Sequence, residues 1–168
     1  MAFATLGDAR RAWELATMIN PVNHARTPAE VAIYKAEPYV IVADVYAVAP
    51  HVGRGGWSWY TGSAGWMYRL IVESLLGVTL EKDRLRLAPL LPAHWSAFTM
   101  RYRYGATVYE ITVRQSRAGD EEGIQATSVT VDGVPQPEAV VQLIDDRAQH
   151  QVMVEVAEGS RIEARTAS

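Results

Sequence analysis

The spacing of apolar residues changes near residue 78 of the chain. Before this point, apolar side chains recur three and four positions apart, as they do on one face of a helix. The clearest example is Ala9–Asn20, whose final asparagine precedes a proline and therefore favours a helix end. The predicted apolar face of this helix comprises Ala12, Leu15, Ala16 and Ile19.

Two further helices are predicted from their end signals. Thr27-Pro28-Ala29-Glu30 is a capping box with proline in the first turn, and its helix should run to about Ala36. A last helix is expected from Trp66 to Leu76, followed by Gly77, a residue type that suits the position after a helix. Between these helices, Tyr39–Ala47 is rich in β-branched residues, so a strand and a buried helix are both compatible with it.

Beyond residue 78, apolar and polar residues alternate, which predicts short strands separated by turns. The strongest turn signal is Asp132-Gly133, directly after Val129–Val131, and a last strand is expected at Arg161–Ala164. This pattern is typical of a β-sandwich. The chain is therefore predicted to be α plus β, with a helical part at residues 1–77 and a sandwich at residues 78–168.

The helical part should not be a complete fold by itself. Residues 1–6 have a helix-like apolar composition from the first position, with no polar lead-in, so we expect the helices to be the end of a longer structure. Their apolar faces need partners, which can be a preceding part of the same domain, a separately encoded subunit that completes the barrel, or a second copy of the chain.

Composition excludes several classes of site. The 168 residues include no cysteine, which excludes disulfides, thiolate zinc sites and a cysteine nucleophile. The net charge of −3 gives no support for a nucleic-acid or membrane-surface partner. No run of apolar residues is long enough to span a membrane and the N-terminus lacks a secretory signal, so a cytoplasmic location is expected.

The loop predicted at Pro50–Gly65 holds most of the candidate chemistry. Thr61-Gly62-Ser63, at the start of the last predicted helix, can cap that helix or bind an anion with its free backbone N–H groups, and the two roles are compatible. Arg54 either pairs with a phosphate or carboxylate or is a solvated charge. Aromatic residues of the loop either stack on a sugar ring or pack in the core. These are Trp57, Trp59, Tyr60 and Trp66.

Other polar residues of the helical part give weaker signals. Glu37, Asp44 and Glu73 show no spacing that pairs them for acid–base chemistry, so salt bridges or caps are expected. His24 and His51 lie in no metal-ligand pattern, and no metal site is predicted.

Several segments together carry a family resemblance. They are NPVNH at Asn20–His24, YKAEPYV at Tyr34–Val40, HVGRGGWSWYTGSAGWMY at His51–Tyr68, LRLAP at Leu85–Pro89 and YRY at Tyr102–Tyr104. These segments resemble the C-terminal end of glycoside hydrolase family 94. That family contains inverting phosphorylases of cellobiose, chitobiose and β-1,2-oligoglucans, and the C-terminal part of cyclic β-1,2-glucan synthase. The β-1,2-glucan branch is the most similar.

The resemblance implies the last helices of an (α/α)6 barrel followed by a C-terminal antiparallel β-sandwich. It implies phosphorolysis of a β-glucoside, with inorganic phosphate as co-substrate, a β-glucan oligosaccharide as ligand and no other cofactor. In the family, a Thr-Gly pair before the last barrel helix contacts phosphate. The matching positions are Thr61 and Gly62, with Ser63 adjacent, and Arg54, Trp57, Trp59 and Glu37 are further candidates for the substrate site.

One departure from the family pattern limits the expected activity. The family's catalytic aspartate lies in a Gly-Asp-Trp-Asn-Asp-like motif that this sequence does not contain. We therefore expect no catalytic residue in this chain and no turnover by the chain alone. The alternative is a non-catalytic carbohydrate-binding or structural module.

Overall fold

The computed structural model describes residues 1–37, 39–59, 61–116 and 127–157, which form two compact units, one from Met1 to Leu75 and one from Leu76 onward. The predicted strand at Arg161–Ala164, together with Pro38 and Tyr60, lies outside the described residues. The elements of the first unit are α1 (Ala2–Thr5), α2 (Ala9–Ile19), a 3₁₀ turn (Pro21–His24), α3 (Pro28–Tyr34), β1 (Asp44–Val45), β2 (Gly55–Gly56), α4 (Thr61–Arg69) and a π-helical segment (Leu70–Leu75).

Side-chain caps set the starts of α2 and α3. The carboxylate of Asp8 accepts a hydrogen bond from the backbone N–H of Arg11 at 2.9 Å. At α3, Thr27 and Glu30 form both hydrogen bonds of the predicted capping box, which satisfies N–H groups that have no acceptor within the helix. These ends depend on a few adjacent residues, so local sequence was sufficient to predict them.

The last helix of the first unit differs from its prediction at both ends. It begins at Thr61 rather than Trp66, so the segment expected to precede the helix forms its first turn. From Leu70 to Leu75 the helix continues with π-type hydrogen bonding. The glycines at 62 and 65 made this stretch resemble a loop, because glycine has a low helix propensity. In the structure, helical hydrogen bonding outweighs this propensity.

Apolar side chains of α2 are only partly covered. On the face predicted to be buried, Ala12 and Ala16 are buried, whereas Leu15 and Ile19 are exposed. Exposed apolar side chains also occur around α2 and α3, at Leu6, Met18, Val22, Val31 and Ile33.

The described residues of the second unit form two sheets. A five-stranded sheet has the order β5-β6-β10-β7-β8, and a three-stranded sheet has the order β3-β4-β9. The strands are β3 (Val78–Glu81), β4 (Arg84–Leu87), β5 (Ala97–Tyr104), β6 (Thr107–Ser116), β7 (Thr127–Val131), β8 (Val134–Pro135), β9 (Val140–Gln142) and β10 (Gln149–Ala157).

The prediction of a purely antiparallel arrangement is wrong for one strand pair. β10 runs parallel to β6 along its whole length, from Gln149 opposite Val108 to Ala157 opposite Ser116. A parallel pair needs a long crossover rather than a hairpin, and the segment that contains β7, β8 and β9 forms this crossover. Each other pair of neighbouring strands is antiparallel.

Alternation along the strands gives each sheet one buried face. In the five-stranded sheet, Ile111 lies opposite Val152, which in turn lies opposite Val131. In the three-stranded sheet, Leu85 lies opposite Val141 and both are fully buried, whereas Leu80, on the other side of Leu85, is exposed. The fully buried side chains of this unit include Leu85, Leu87, Tyr109, Ile111, Val113, Val129, Val141, Val152 and Val154.

No helix within the described residues is long and apolar enough to cross a membrane.

Candidate functional site

A short hairpin precedes helix α4 and organises the candidate loop. β1 and β2 pair antiparallel, with Asp44 opposite Gly56 and Val45 opposite Gly55. The ladder extends beyond the strands, because the N–H of Tyr46 donates to the carbonyl of Arg54 at 2.9 Å. Tyr39–Ala47, compatible with a strand or a helix by sequence, is thus mostly irregular with a two-residue strand.

The glycines of this hairpin allow close packing. A Cβ at Gly55 would lie 2.8 Å from Cγ1 of Val42 and 3.3 Å from the ring of Tyr34. Gly53 has a φ of +84°, and a Cβ there would lie 2.9 Å from Cγ2 of Ile33. The glycine-rich run at 53–56 is therefore explained by backbone packing onto these side chains.

Trp57 and Trp59 follow β2 in an unusual backbone conformation. Both residues adopt positive φ angles, 48° and 63°, which cost energy for residues with a side chain. Their side chains are 77% and 66% exposed, so the alternative that they fill the core is not what the structure shows. Trp66, on α4, is also exposed, with the guanidinium of Arg69 5.2 Å from its ring centroid.

Tyr39 is an aromatic neighbour that the sequence analysis did not assign to the site. Its exposed ring lies 6.3 Å from the ring of Trp59, edge to face. Twenty positions separate the two residues in sequence, and the β1–β2 hairpin brings them together. The β-branched residues after Tyr39 were compatible with a strand or a buried helix, and neither reading gave a signal for this pairing.

Thr61, Gly62 and Ser63 form the first turn of α4. Backbone N–H groups in a first helical turn have no acceptor within the helix, and the helix dipole places positive charge there. Gly62 is exposed, and a Cβ added to it would meet nothing within 4 Å. The backbone at Gly62 is therefore open to solvent.

The remaining candidates are dispersed. Arg54 and Glu37 are both exposed, and neither side chain makes an ion pair or hydrogen bond within the part of the chain that the structure describes. Glu73 pairs with Arg69 one helical turn away at 3.0 Å, which agrees with the expected structural role. Asp44 lies in β1 with its carboxylate beside Gly56.

The two histidines of the first unit, His24 and His51, lie in different surroundings. Nε2 of His24 donates to the carbonyl of Met18 at 2.6 Å, and its ring stacks on buried Tyr34 with centroids 4.9 Å apart. The ring of His51 lies 6.1 Å from that of Tyr46. Across the described residues, no group of three or more metal-ligating side chains is present.

Family comparisons match the two parts of the chain separately. Residues 1–77 match the Glycosyl hydrolase 94 superfamily, catalytic domain. Residues 79–134 match the Glycosyl hydrolase family 65, C-terminal domain.

Three curated relatives place these matches in context. Cyclic beta-(1,2)-glucan synthase NdvB of Rhizobium meliloti is 42% identical over 77% of this chain and 5% of its own length. N,N'-diacetylchitobiose phosphorylase of Vibrio furnissii is 32% identical over 80% of this chain and 16% of its own length. For 1,2-beta-oligoglucan phosphorylase of Listeria innocua the identity is 24%, over 81% of this chain and 13% of its own length. The chain thus spans a small part of each relative.

Proposed function

Because this chain belongs to the C-terminal region of glycoside hydrolase family 94, we propose that it forms part of the phosphate and sugar subsite of an inverting β-glucoside phosphorylase or a cyclic β-1,2-glucan synthase. The observation that carries the proposal is the open first turn of α4, which coincides with the family's Thr-Gly phosphate motif. The relative named as a cyclic beta-(1,2)-glucan synthase supports a β-1,2-glucan as the substrate class.

Phosphate is proposed to bind at Thr61, Gly62 and Ser63. Free N–H groups and the positive end of the helix dipole favour an anion there, and the open space around Gly62 allows close approach of a phosphate oxygen. Arg54, which has no carboxylate partner among the described residues, can supply a mobile positive charge.

The sugar is proposed to stack on the exposed tryptophans. Trp57 and Trp59 present aromatic faces directly before the phosphate-binding turn, and their positive φ angles fix the direction of the backbone that carries them. Glu37 is proposed as a further polar residue of the substrate site. Its carboxylate has no partner in the described part of the chain and can accept hydrogen bonds from sugar hydroxyls.

In the proposed reaction a phosphate oxygen attacks the anomeric carbon while the glycosidic C–O bond breaks. A carboxylic acid protonates the leaving oxygen, so the products are a sugar 1-phosphate and a shortened glucan. Phosphate is itself the nucleophile, so no second carboxylate is needed to activate water. The acid is proposed to come from a preceding part of the catalytic domain, since the family's aspartate motif is absent from this sequence.

Residues 1–77 are proposed to be the last helices of an (α/α)6 barrel, and residues 78–168 a β-sandwich. The exposed apolar side chains of α2 and α3 support a further part of the barrel as their partner, with self-association when that part is absent. A cytoplasmic location remains part of the proposal.

An assay of phosphorolysis tests the proposed division of roles. The purified 168-residue chain is incubated with a β-1,2-oligoglucan and inorganic phosphate, and released sugar 1-phosphate is measured. We expect no release by the chain alone, because the acid is missing. Clear turnover would show that this chain holds its own acid and would overturn the proposal.

A non-catalytic carbohydrate-binding module is the second candidate, favoured by the exposure of Trp59. Calorimetry with β-1,2-oligoglucans in the absence of phosphate should detect binding that Trp59→Ala abolishes. Tyr68→Ala is the matched control, since it removes an aromatic ring that is 65% exposed on α4. Equal binding by both variants would show that Trp59 does not contribute to sugar binding.

A further inference from the structure

A second polar cluster lies at one end of the five-stranded sheet, in the second unit. His150, near the start of β10, stands between two carboxylates. Its Nδ1 lies 2.7 Å from Oδ2 of Asp132, in the turn between β7 and β8, and its Nε2 lies 3.1 Å from Oδ2 of Asp146, in the loop before β10. The histidine side chain is 14% exposed, so water has limited access to it.

This geometry requires a doubly protonated imidazole. Ionised carboxylates only accept hydrogen bonds, and a neutral imidazole has a single N–H to donate. Within the described residues, the charged groups that contact the ring are Asp132 from the turn and Asp146 from the loop. β6 contributes the neutral ring of Tyr109, stacked on the imidazole with centroids 5.0 Å apart.

The two carboxylates also accept hydrogen bonds from backbone N–H groups, Asp132 from the neighbouring strand β10 and Asp146 from its own loop. Oδ1 of Asp132 accepts from the N–H of Gln151, and Oδ1 of Asp146 accepts from the N–H of Ala148. Thr107, fully buried, donates to Asp146 and accepts from the N–H of Arg147 at 2.8 Å. One cluster therefore holds a turn, a loop and two strands.

Both connecting segments contain a residue in the left-handed region. Asp132 has a φ of 50° and Arg147 a φ of 66°. A bulky residue such as arginine rarely adopts this conformation, so the surrounding hydrogen bonds must stabilise it. If one hydrogen bond of the cluster is lost, fewer interactions stabilise these left-handed backbone conformations.

We propose that the Asp132–His150–Asp146 bridge is a proton-dependent lock on this end of the sheet. While both ring nitrogens carry protons, the lock holds the turn around Asp132 and the loop around Arg147 against the sheet. Loss of one proton removes one hydrogen bond and both ion pairs, and the segments open more often.

The direction of the pKa shifts agrees with this role. The hydrogen bond to Asp132 raises the pKa of His150 above its usual value, and the same bond lowers the pKa of Asp132. A raised histidine pKa stabilises the folded form fully below the unfolded value of about 6.5, and this stabilisation is lost as the pH rises through the folded value. The lock therefore opens on the alkaline side.

Hydrogen exchange on the full 168-residue chain tests the lock. The amides of Arg147, Ala148 and Gln151 donate to groups of the cluster, so their protection, corrected for the intrinsic exchange rate, should fall by roughly three- to tenfold as His150 titrates. The ring titration is followed in parallel by NMR. Amides at the centre of the β5–β6 pair serve as the internal control and should not change.

His150→Gln supplies the matched variant, because glutamine forms hydrogen bonds but has no charge to lose. Its loop amides should show low protection at every pH, like the wild-type protein at alkaline pH. The proposal is overturned if His150 titrates at or below its usual pKa, or if loop protection is independent of pH. Should the variant fail to fold, the wild-type titration decides alone.

Discussion

Several single residues adopt conformations that local sequence predicts. Gly77 was expected after the last helix and has a φ of +68°, and Asp132-Gly133 forms the two-residue hairpin turn with φ angles of 50° and 80°. The positive φ angles of Trp57 and Trp59 could not be predicted, because no propensity favours tryptophan in that region. Such strain depends on the surrounding structure.

Substitutions at Gly77 and Gly133 distinguish the energetic cost of backbone strain from the cost of a steric clash. At Gly77 an added Cβ would lie 2.0 Å from the carbonyl oxygen of Ala88, whereas at Gly133 it would meet nothing within 4 Å. Gly77→Ala should therefore lower the free energy of unfolding by about 2–4 kcal/mol, because backbone strain and a steric clash add. Gly133→Ala should lower it by about 1 kcal/mol from strain alone. Urea denaturation of both variants measures the difference, and equal losses would contradict the packing argument.

At the scale of elements, sequence predicted helices and strands well where a short-range signal exists. The capping box at Thr27 and the alternation from Phe98 to Tyr104 gave α3 and β5 closely. The start of α4 was missed because its glycines resemble a loop. The parallel pairing of β6 with β10 was missed because pairing partners are set by packing between distant segments, which alternation within one strand does not encode.

Glu110 links three adjacent strands on one face of the five-stranded sheet. It accepts hydrogen bonds from Gln151 of β10 at 3.0 Å and from Arg101 of β5 at 2.7 Å, and these bonds lower the pKa of its carboxyl. A lowered pKa stabilises the fold above the unfolded value of about 4.3, and this is lost as the pH falls through the folded value.

Acidification should therefore lower the Tm of the wild-type protein more than the Tm of the Glu110→Gln variant. Thermal unfolding followed by circular dichroism at a series of pH values from neutral to acid measures this. Glu138→Gln is the control, since that exposed carboxylate makes no ion pair or side-chain hydrogen bond within the part of the chain that the structure describes. An identical decrease of Tm with pH in the wild type and in Glu110→Gln would show that the hydrogen bonds of Glu110 contribute nothing to stability.

At the scale of the whole molecule, exposed apolar surface is divided unequally. Most large exposed apolar side chains among the described residues lie in the first unit. Those in the second unit are Leu80, Val134 and Ile144. The spacing of apolar residues in the sequence already indicated that the helices need a partner. Which apolar residues of the helices are exposed could not be predicted from the sequence. The predicted apolar face of α2 contains buried alanines as well as exposed Leu15 and Ile19.

Ile19 and Leu80 are matched probes of this asymmetry, with exposures of 52% and 51%. Ile19→Lys should reduce self-association of the chain, because it places a charge on the apolar surface of α2. Leu80→Lys should leave self-association unchanged, and each should alter the free energy of unfolding by no more than about 0.5 kcal/mol. Analytical ultracentrifugation measures the association. A larger effect of Leu80→Lys would place the associating surface in the second unit.

The proposed function depends on phosphate binding at the start of α4, which an NMR titration of the ¹⁵N-labelled chain with inorganic phosphate measures residue by residue. Thr61, Gly62 and Ser63 should show saturable amide shifts that Gly62→Ala weakens. Gly65→Ala, a substitution in the same helix with equally open surroundings, should leave the shifts intact. Amide shifts that do not saturate, or that are absent from this turn, would contradict the claim.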